Sequence, residues 1–309
     1  MRFSITLLGT NAAQPTPQRF TSAQVLNVNE ELYMIDCGEG AQMRLSEYQV
    51  RRSNINQIFI SHLHGDHFYG LIGLLTSFAL NERTRPLHIF SPEGLQEIIE
   101  ALAKPQGEGR FTYPIHFHTV DTTQHRLIFE DHRVQVFSLP LRHRIPTTGY
   151  LFRERPRLRN IIAEKITQYD MSIDQIRAVK AGEDLWLSNG IRIPNAELTS
   201  PPAPPRAYAY CSDTMYNEAL IPMLTKVDVL YHEATFLHLD LPSAQRTMHT
   251  TALQAAMLAA RAEVGQLLIG HFSSRYRDEA ELVAEARTVF PNTAGAYDGM
   301  TVTIPFRSR

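Results

Sequence analysis

A chain of 309 residues, 43% hydrophobic and 20% charged, has the make-up of an ordinary globular protein and is long enough to bury a large core. Its formal net charge of −2 excludes a polycation, so any contact with nucleic acid must use a local basic patch. No apolar run reaches the roughly 18 residues of a membrane span, "MRFSITLLGT" reads as a strand without a signal-peptide cleavage site, and Cys37 and Cys211 follow apolar runs as buried strand residues do, so a cytoplasmic location is expected.

Short apolar strands alternate with amphipathic helices through most of the chain. "FSITLLG", "AQVLNV" and "ELYMIDCG" read as strands, and "AQMRLSEYQV" as a helix. "NQIFIS" is a buried strand that feeds "SHLHGDHFYG", where three histidines and an aspartate fall within six positions. "FYGLIGLLTSFAL" carries apolar residues at helical spacing, interrupted by two glycines. After the strand "PLHIFS", Ser91 and Pro92 predict a helix start, as N-cap and first-turn residue of a helix running to Ala103. Further strands are "RVQVFSLP", "TGYLF", "AYAYCS", "VDVLYH" and "QLLIGH". The helices "TTALQAAMLAARA" and "RDEAELVAEARTVF" occupy the last quarter.

From Arg153 to Pro205 this rhythm breaks. The segment is charged and weakly periodic and returns through the proline-rich "SPPAPPR". Within it "LWLSNGIRI" alternates around Asn189-Gly190, a strong hairpin signal. We expect a single domain over residues 1–309, with residues 153–205 as an inserted flexible arm. Basic patches occur at Arg142–Arg144 and at Arg153–Asn160, inside the arm.

His62 and His64 stand two apart at a strand end, so their side chains share one side, which is metal-ligand spacing. Gly65 permits a turn, after which Asp66 and His67 approach along a second line. One ion would not easily take all four groups, whereas two neighbouring ions would. Imidazole and carboxylate without thiolate suit zinc, with manganese or iron as alternatives. The remaining ligands must come from other strand ends: His143 after "VFSLPL", Asp213 after "AYAYC" and His271 after "QLLIG". Asp213 is the best bridge, since one carboxylate offers an oxygen to each ion.

These segments resemble the metallo-β-lactamase superfamily and, within it, the ribonuclease Z family of tRNA 3′-processing endonucleases. The likeness runs through "LLGTNAAQPTPQRFTSAQVL", "IDCGEGAQ" (Ala41 standing where the family has threonine), "SHLHGDHFYGLIGLL", "YHEATF", "MHTTALQAA" and "IGHFSSRY". It implies an α/β fold, the αβ/βα sandwich of two mixed sheets flanked by helices. It also implies two Zn2+ per chain, the first on His62, His64, His143 and Asp213, the second on Asp66, His67, Asp213 and His271. A hydroxide activated between them would attack the phosphodiester of precursor tRNA and leave a 3′-OH on the tRNA. Asp66 is assigned a further role as proton acceptor, and His249, oriented by Glu233, that of the acid protonating the leaving oxygen. Arg275, with Ser273 and Ser274, is expected to grip a phosphate. A homodimer is implied as well. In the arm, "VKAGEDLWL" resembles the stretch immediately after the family's tRNA-docking segment, but the Gly-Pro core of that segment is absent.

Two other readings remain. A hydrolase of the same fold acting on small phosphodiesters, sulfate esters, lactones or thioesters would not need the arm. A catalytically idle RNA-binding relative would not need an intact ligand set.

Overall fold

In the computed structural model, which describes residues 2–107 and 111–306, the apolar runs pair into two seven-stranded sheets. The strands in chain order are β1 (Phe3–Gly9), β2 (Ala23–Val28), β3 (Glu31–Cys37), β4 (Ile55–Phe59), β5 (Leu87–Ser91), β6 (Ile115–Thr119), β7 (Leu127–Glu130), β8 (Val134–Pro140) and β9 (Thr148–Glu154). Four short ones come next, β10 (Asn160–Ile161), β11 (Leu185–Trp186), β12 (Arg192–Ile193) and β13 (Thr199–Ser200), then β14 (Ala207–Cys211), β15 (Val229–Glu233), β16 (Gln266–Gly270), β17 (Thr293–Gly295) and β18 (Thr301–Thr303). One sheet has the order β18-β1-β2-β3-β4-β5-β6 and the other β17-β16-β15-β14-β9-β8-β7. Both are mixed: β3 to β6 run parallel, as do β14 to β17, beside antiparallel neighbours.

The period of two along each strand divides its side chains between two cores. Phe3, Ile5, Leu7, Tyr33 and Ile35 meet Tyr208, Tyr210, Val229 and Tyr231 between the sheets. Leu32, Met34, Ile58 and Ile89 face the other way, onto helices that include Leu71–Leu80. Leu230, Leu267 and Ile269 do the same on the second sheet, against the helix Ala252–Arg261. This is the metallo-β-lactamase sandwich. No helix among the described residues is long and apolar enough to cross a membrane.

The structure departs from the sequence reading in places. The helix expected from Ser91 begins at Leu95, with Gly94 in the left-handed region before it. Ser91 is unavailable as a cap because it ends β5, paired with Thr119 of β6. The glycine-interrupted segment divides into two helices, Gly65–Phe68 and Leu71–Leu80. Gly70 sits at the break for a steric reason: a Cβ there would come within 2.1 Å of the Gly38 carbonyl oxygen. The edge strands β6 and β7 escaped sequence analysis because they are short and half-exposed.

By contact density the chain forms two units, Met1–Arg153 with Ala207–Ile304, and Glu154–Arg206 with the chain end from Pro305. The second unit has a small core of its own, built from Met171, Val179, Leu185 and Leu198. It contains two helices that the weak periodicity did not announce, Ala163–Gln168 and Ile173–Ala181. The second is capped reciprocally by Ser172 and Gln175. The Asn189-Gly190 hairpin forms, with Leu185 paired to Ile193 and Gly190 at φ +82. Glu154 and Arg206 make a buried bidentate pair, Nη2 to Oε1 at 2.7 Å and Nε to Oε2 at 2.9 Å.

Candidate metal centre and acid pair

β4 delivers the chain to Ser61, and His62 and His64 follow in extended backbone before the helix Gly65–Phe68 begins. His62 Nε2 and His64 Nδ1 come within 3.0 Å of each other, and His143 Nε2 lies 3.3 Å from His64 Nδ1. Asp213 Oδ2 completes this group at 3.5 Å from His62 Nε2 and 3.7 Å from His143 Nε2. A second group surrounds the other oxygen of the same carboxylate. Asp213 Oδ1 is 3.2 Å from His67 Nε2 and 3.1 Å from His271 Nε2, and both nitrogens are 3.5 Å from Asp66 Oδ2. All seven expected ligands therefore converge, with Asp213 between the two groups.

The geometry fits metal. A tetrahedral ion with bonds of about 2.0–2.1 Å holds its ligand atoms about 3.3 Å apart, which matches these spacings. His67 Nε2 and His271 Nε2 are buried without a hydrogen-bond partner. Orphaned buried polar atoms cost on the order of 1–3 kcal/mol each, and a cation is the partner they lack. Four of the five rings are held through the opposite nitrogen. His62 Nδ1 meets Ser61 Oγ at 3.1 Å, His67 Nδ1 meets Asp36 Oδ2 at 2.7 Å, His143 Nδ1 meets the Met248 carbonyl at 3.1 Å, and His271 Nδ1 meets Thr235 Oγ1 at 3.1 Å. Such bonds set the tautomer and aim the remaining lone pair inward.

Burial pushes His62, His64 and His143 below the ordinary imidazole range, towards the neutral form that ligates metal. At His67 burial is outweighed by the carboxylates of Asp213, Asp66 and Asp36, which raise it well above that range. Burial alone would raise Asp213, but His271, His67 and His62 hold it well below ordinary carboxylates. Asp66 is lowered against burial in the same way, chiefly by His67.

Three side chains of the site hang on left-handed backbone: Asp36 at φ 55, Asp213 at φ 59 and His271 at φ 57. Met248, whose carbonyl holds His143, is at φ 60. Non-glycine residues rarely adopt this conformation, and strain of this kind gathers at functional sites.

Beside the donors lies an acid–base pair. His249 Nδ1 is 2.8 Å from Glu233 Oε1. Glu233 is fully buried at the end of β15 and also accepts from Thr214 N at 2.7 Å, Thr235 Oγ1 at 2.6 Å and Thr250 N at 3.1 Å. Burial opposes a charge on His249, but Glu233 outweighs it and lifts the imidazole to about 9. The cap of the following helix is Thr251, so His249 is free of that duty. A cleft of about 590 Å³ is lined by His249 and by the donors His64, Asp66, His143, Asp213 and His271, with Tyr69 and Arg144 among its other walls, while His62, His67 and Glu233 lie buried behind them.

Residues 3–155 match the family described as Anti-Pycsar protein Apyc1. Over 303 residues the chain is 46% identical to a ribonuclease Z of Bacteroides thetaiotaomicron, covering 98% of this chain and 96% of that one. The chain belongs to the ribonuclease Z family. The solved structure of human tRNase Z, short form, superposes on it with a TM-score of 0.70 at 26% identity, over 98% of this chain and 100% of that one. A metallo-β-lactamase fold protein of Bacillus subtilis, YhfI, superposes at 0.68 with 19% identity, over 98% and 100% of the two chains, and shares the fold.

Arg275, expected to grip a phosphate, is held beside that expected position by other partners. Its guanidinium pairs with Asp240 Oδ1 at 3.0 Å and lies over the Phe236 ring, whereas Arg144, Ser273 and Ser274 line the cleft. Sequence reasoning gave no role to Asp36, although it stands inside the ribonuclease Z segment "IDCGEGAQ". Fully buried, Asp36 accepts from Ser61 N at 2.7 Å, Ser61 Oγ at 2.9 Å, His67 Nδ1 at 2.7 Å and Tyr210 OH at 2.7 Å. The signal was present: it is an acidic residue closing an apolar strand, the feature that singled out Asp213.

Proposed function

We propose that this ribonuclease Z family member removes the 3′ trailer from precursor tRNA by hydrolysing one phosphodiester, leaving a 3′-OH on the tRNA. The observation that carries the proposal is His249, held by buried Glu233, lining the same cleft as the donors His64, Asp66, His143, Asp213 and His271. Donors without thiolate favour zinc. His62, His64, His143 and Asp213 would hold one ion, and Asp66, His67, Asp213 and His271 the other. Bound there, a zinc pair supplies a water of lowered pKa and positive charge facing the phosphate.

The protein's own groups account for the rest. Asp66, at the cleft wall, takes a proton during attack. His249 gives its Nε2 proton to the departing 3′ oxygen, while its Nδ1–H stays on Glu233, which keeps the ring charged and aimed. Arg144 is the guanidinium positioned to meet a phosphate; Arg275 braces the loop that presents Ser273 and Ser274. Residues 153–205, the inserted arm, dock the tRNA. Exposed Trp186, Ile191 and Leu158 in a segment with several arginines support that role. The protein acts as a homodimer in the cytoplasm, as its family resemblance implies.

Incubation of the purified protein with a 3′-extended precursor tRNA tests the proposal. The expected products are tRNA ending in 3′-OH and a trailer beginning with 5′-phosphate. An uncut precursor, with a nitrophenyl phosphodiester still hydrolysed, would move the assignment to a small-diester hydrolase.

A further inference from the structure

The metal donors follow the C-terminal end of β4. At the opposite end, before β4 and β5 begin, lies a second cleft of about 550 Å³ lined by Arg51, Arg52, Arg83 and Arg85, with Glu82 and Asn54. Among the described residues no carboxylate pairs with any of these four guanidiniums. Arg83 is 9% exposed and donates only to neutral acceptors, the carbonyls of Arg85, Ile55 and Pro86 at 2.8, 3.0 and 2.9 Å and Asn56 Oδ1 at 2.7 Å. Those bonds use four of its five N–H groups and meet no negative charge. Among the residues lining the cleft Glu82 is the acidic one, Glu47 beside it being paired with Arg44, and the C-terminal ends of the helices Ala41–Glu47 and Leu71–Leu80 contribute Ser46 and Phe78. Each helix end is worth about half a charge, so roughly two positive charges stay unmatched.

We propose that this cleft binds a phosphate monoester of mononucleotide size, at a site separate from the metal centre. A phosphate monoester carries about −1.5 to −2 at neutral pH, which matches the excess, whereas an internal phosphodiester carries one charge and leaves the other unanswered. The guanidinium fork suits phosphate oxygens geometrically. The volume falls within the roughly 300–1,000 Å³ of small-molecule sites. Arg83 forms the fixed floor, and Arg51 and Arg85, both exposed, close over the ligand. The site needs nothing from the metal centre and stands whether or not the assigned reaction is correct.

Isothermal titration of the holoenzyme with AMP, inorganic phosphate, adenosine and a deoxydinucleotide lacking a terminal phosphate tests this. AMP and inorganic phosphate should bind, adenosine should not, and the deoxydinucleotide should bind more weakly than AMP. Arg51→Ala and Arg85→Ala should each weaken AMP about tenfold, as expected for one charge-assisted hydrogen bond. Neither removes a bond that holds the fold, since Arg83 uses only the backbone carbonyl of Arg85. Hydrolysis of a nitrophenyl phosphodiester should stay unchanged in both variants. AMP affinity equal in wild type and variants would place the phosphate at the metal ligands and overturn the proposal. So would a deoxydinucleotide that binds as tightly as AMP, which would make the cleft a contact for a nucleic-acid strand.

Discussion

Glu233 Oε1 accepts the Nδ1–H of His249 at 2.8 Å, and four further donors from Thr214, Thr235 and Thr250 hold the same carboxylate in place. The ring is therefore fixed, beside a carboxylate that favours its charged form, before any substrate arrives. His249→Ala should slow cleavage of precursor tRNA by roughly 10²–10⁴, the usual worth of general acid catalysis. A nitrophenyl phosphodiester, whose leaving group needs no proton, should lose far less, and zinc content should not change. Equal losses on both substrates would remove the acid role.

The same pair sets a pH dependence. An acid whose folded pKa is raised stays protonated below that value and loses activity as pH rises through it. Glu233 lifts His249 to about 9, and two nearby dications would draw it down by like-charge repulsion. Glu233→Gln removes the lifting charge, so the alkaline fall in kcat should begin at lower pH than in wild type. Rate profiles on precursor tRNA at saturating substrate would show this; an unmoved alkaline limb would mean that Glu233 does not tune the ring.

Asp213 gives one oxygen to each ligand group, at 3.1 Å from His271 Nε2 and 3.5 Å from His62 Nε2. Elemental analysis should find about two zinc ions per chain in the wild type, as for a closely spaced pair, and Asp213→Ala should deplete both. A variant that keeps its full complement would contradict the bridge.

Asp36 touches no ion in the proposed site, yet it holds His67 Nδ1 at 2.7 Å. Asp36→Asn should lower metal affinity by about 10–100-fold, the range for partners that orient a ligand. Competition with a chelator measures it directly, independently of turnover. Unchanged affinity would mean that His67 is oriented by packing alone.

Trp186 is 63% exposed on the hairpin of the second unit. Trp186→Ala should leave stability within about 0.5 kcal/mol, as surface changes usually do, while raising KM for precursor tRNA several-fold. Hydrolysis of a small diester should be unaffected, because remote binding energy serves only a substrate that reaches it. Loss on both substrates would assign the hairpin a structural role instead.

Glu154 and Arg206 predict how the second unit responds to acid. Burial would raise the Glu154 carboxyl, but Arg206, through side chain and backbone, and then Arg157 hold it below its ordinary value. A depressed folded pKa contributes stability that is full above the unfolded value of about 4.3 and is lost as pH falls through the folded one. Protease resistance of residues 154–206 should therefore persist at pH 5 and fail under stronger acid. Glu154→Gln removes the charge that Arg206 meets and should weaken the second unit at neutral pH, seen as early local opening in hydrogen exchange.

Features that depend on near neighbours were legible in the sequence alone. His62, His64, Asp66 and His67 lie within six positions, so strand alternation and a glycine turn suffice to aim them. His143, Asp213 and His271 were legible because each follows an apolar run, and parallel strands gather their ends at one edge. The Asn189-Gly190 turn was legible because its two residues specify it. Everything else needed the assembled fold. Asp36 and Tyr210 are 174 positions apart, and only stacking one sheet on the other brings the phenol onto the carboxylate. The Met248 carbonyl that orients His143 is 105 positions away and belongs to a left-handed residue that ends a helix. Ser91, a good cap by local rules, was taken into β5 because pairing with β6 satisfies its backbone. Residue type and spacing encode which atoms can ligate or titrate; the hydrogen bonds that set their tautomers and charges are long-range, and form only once the two sheets have packed.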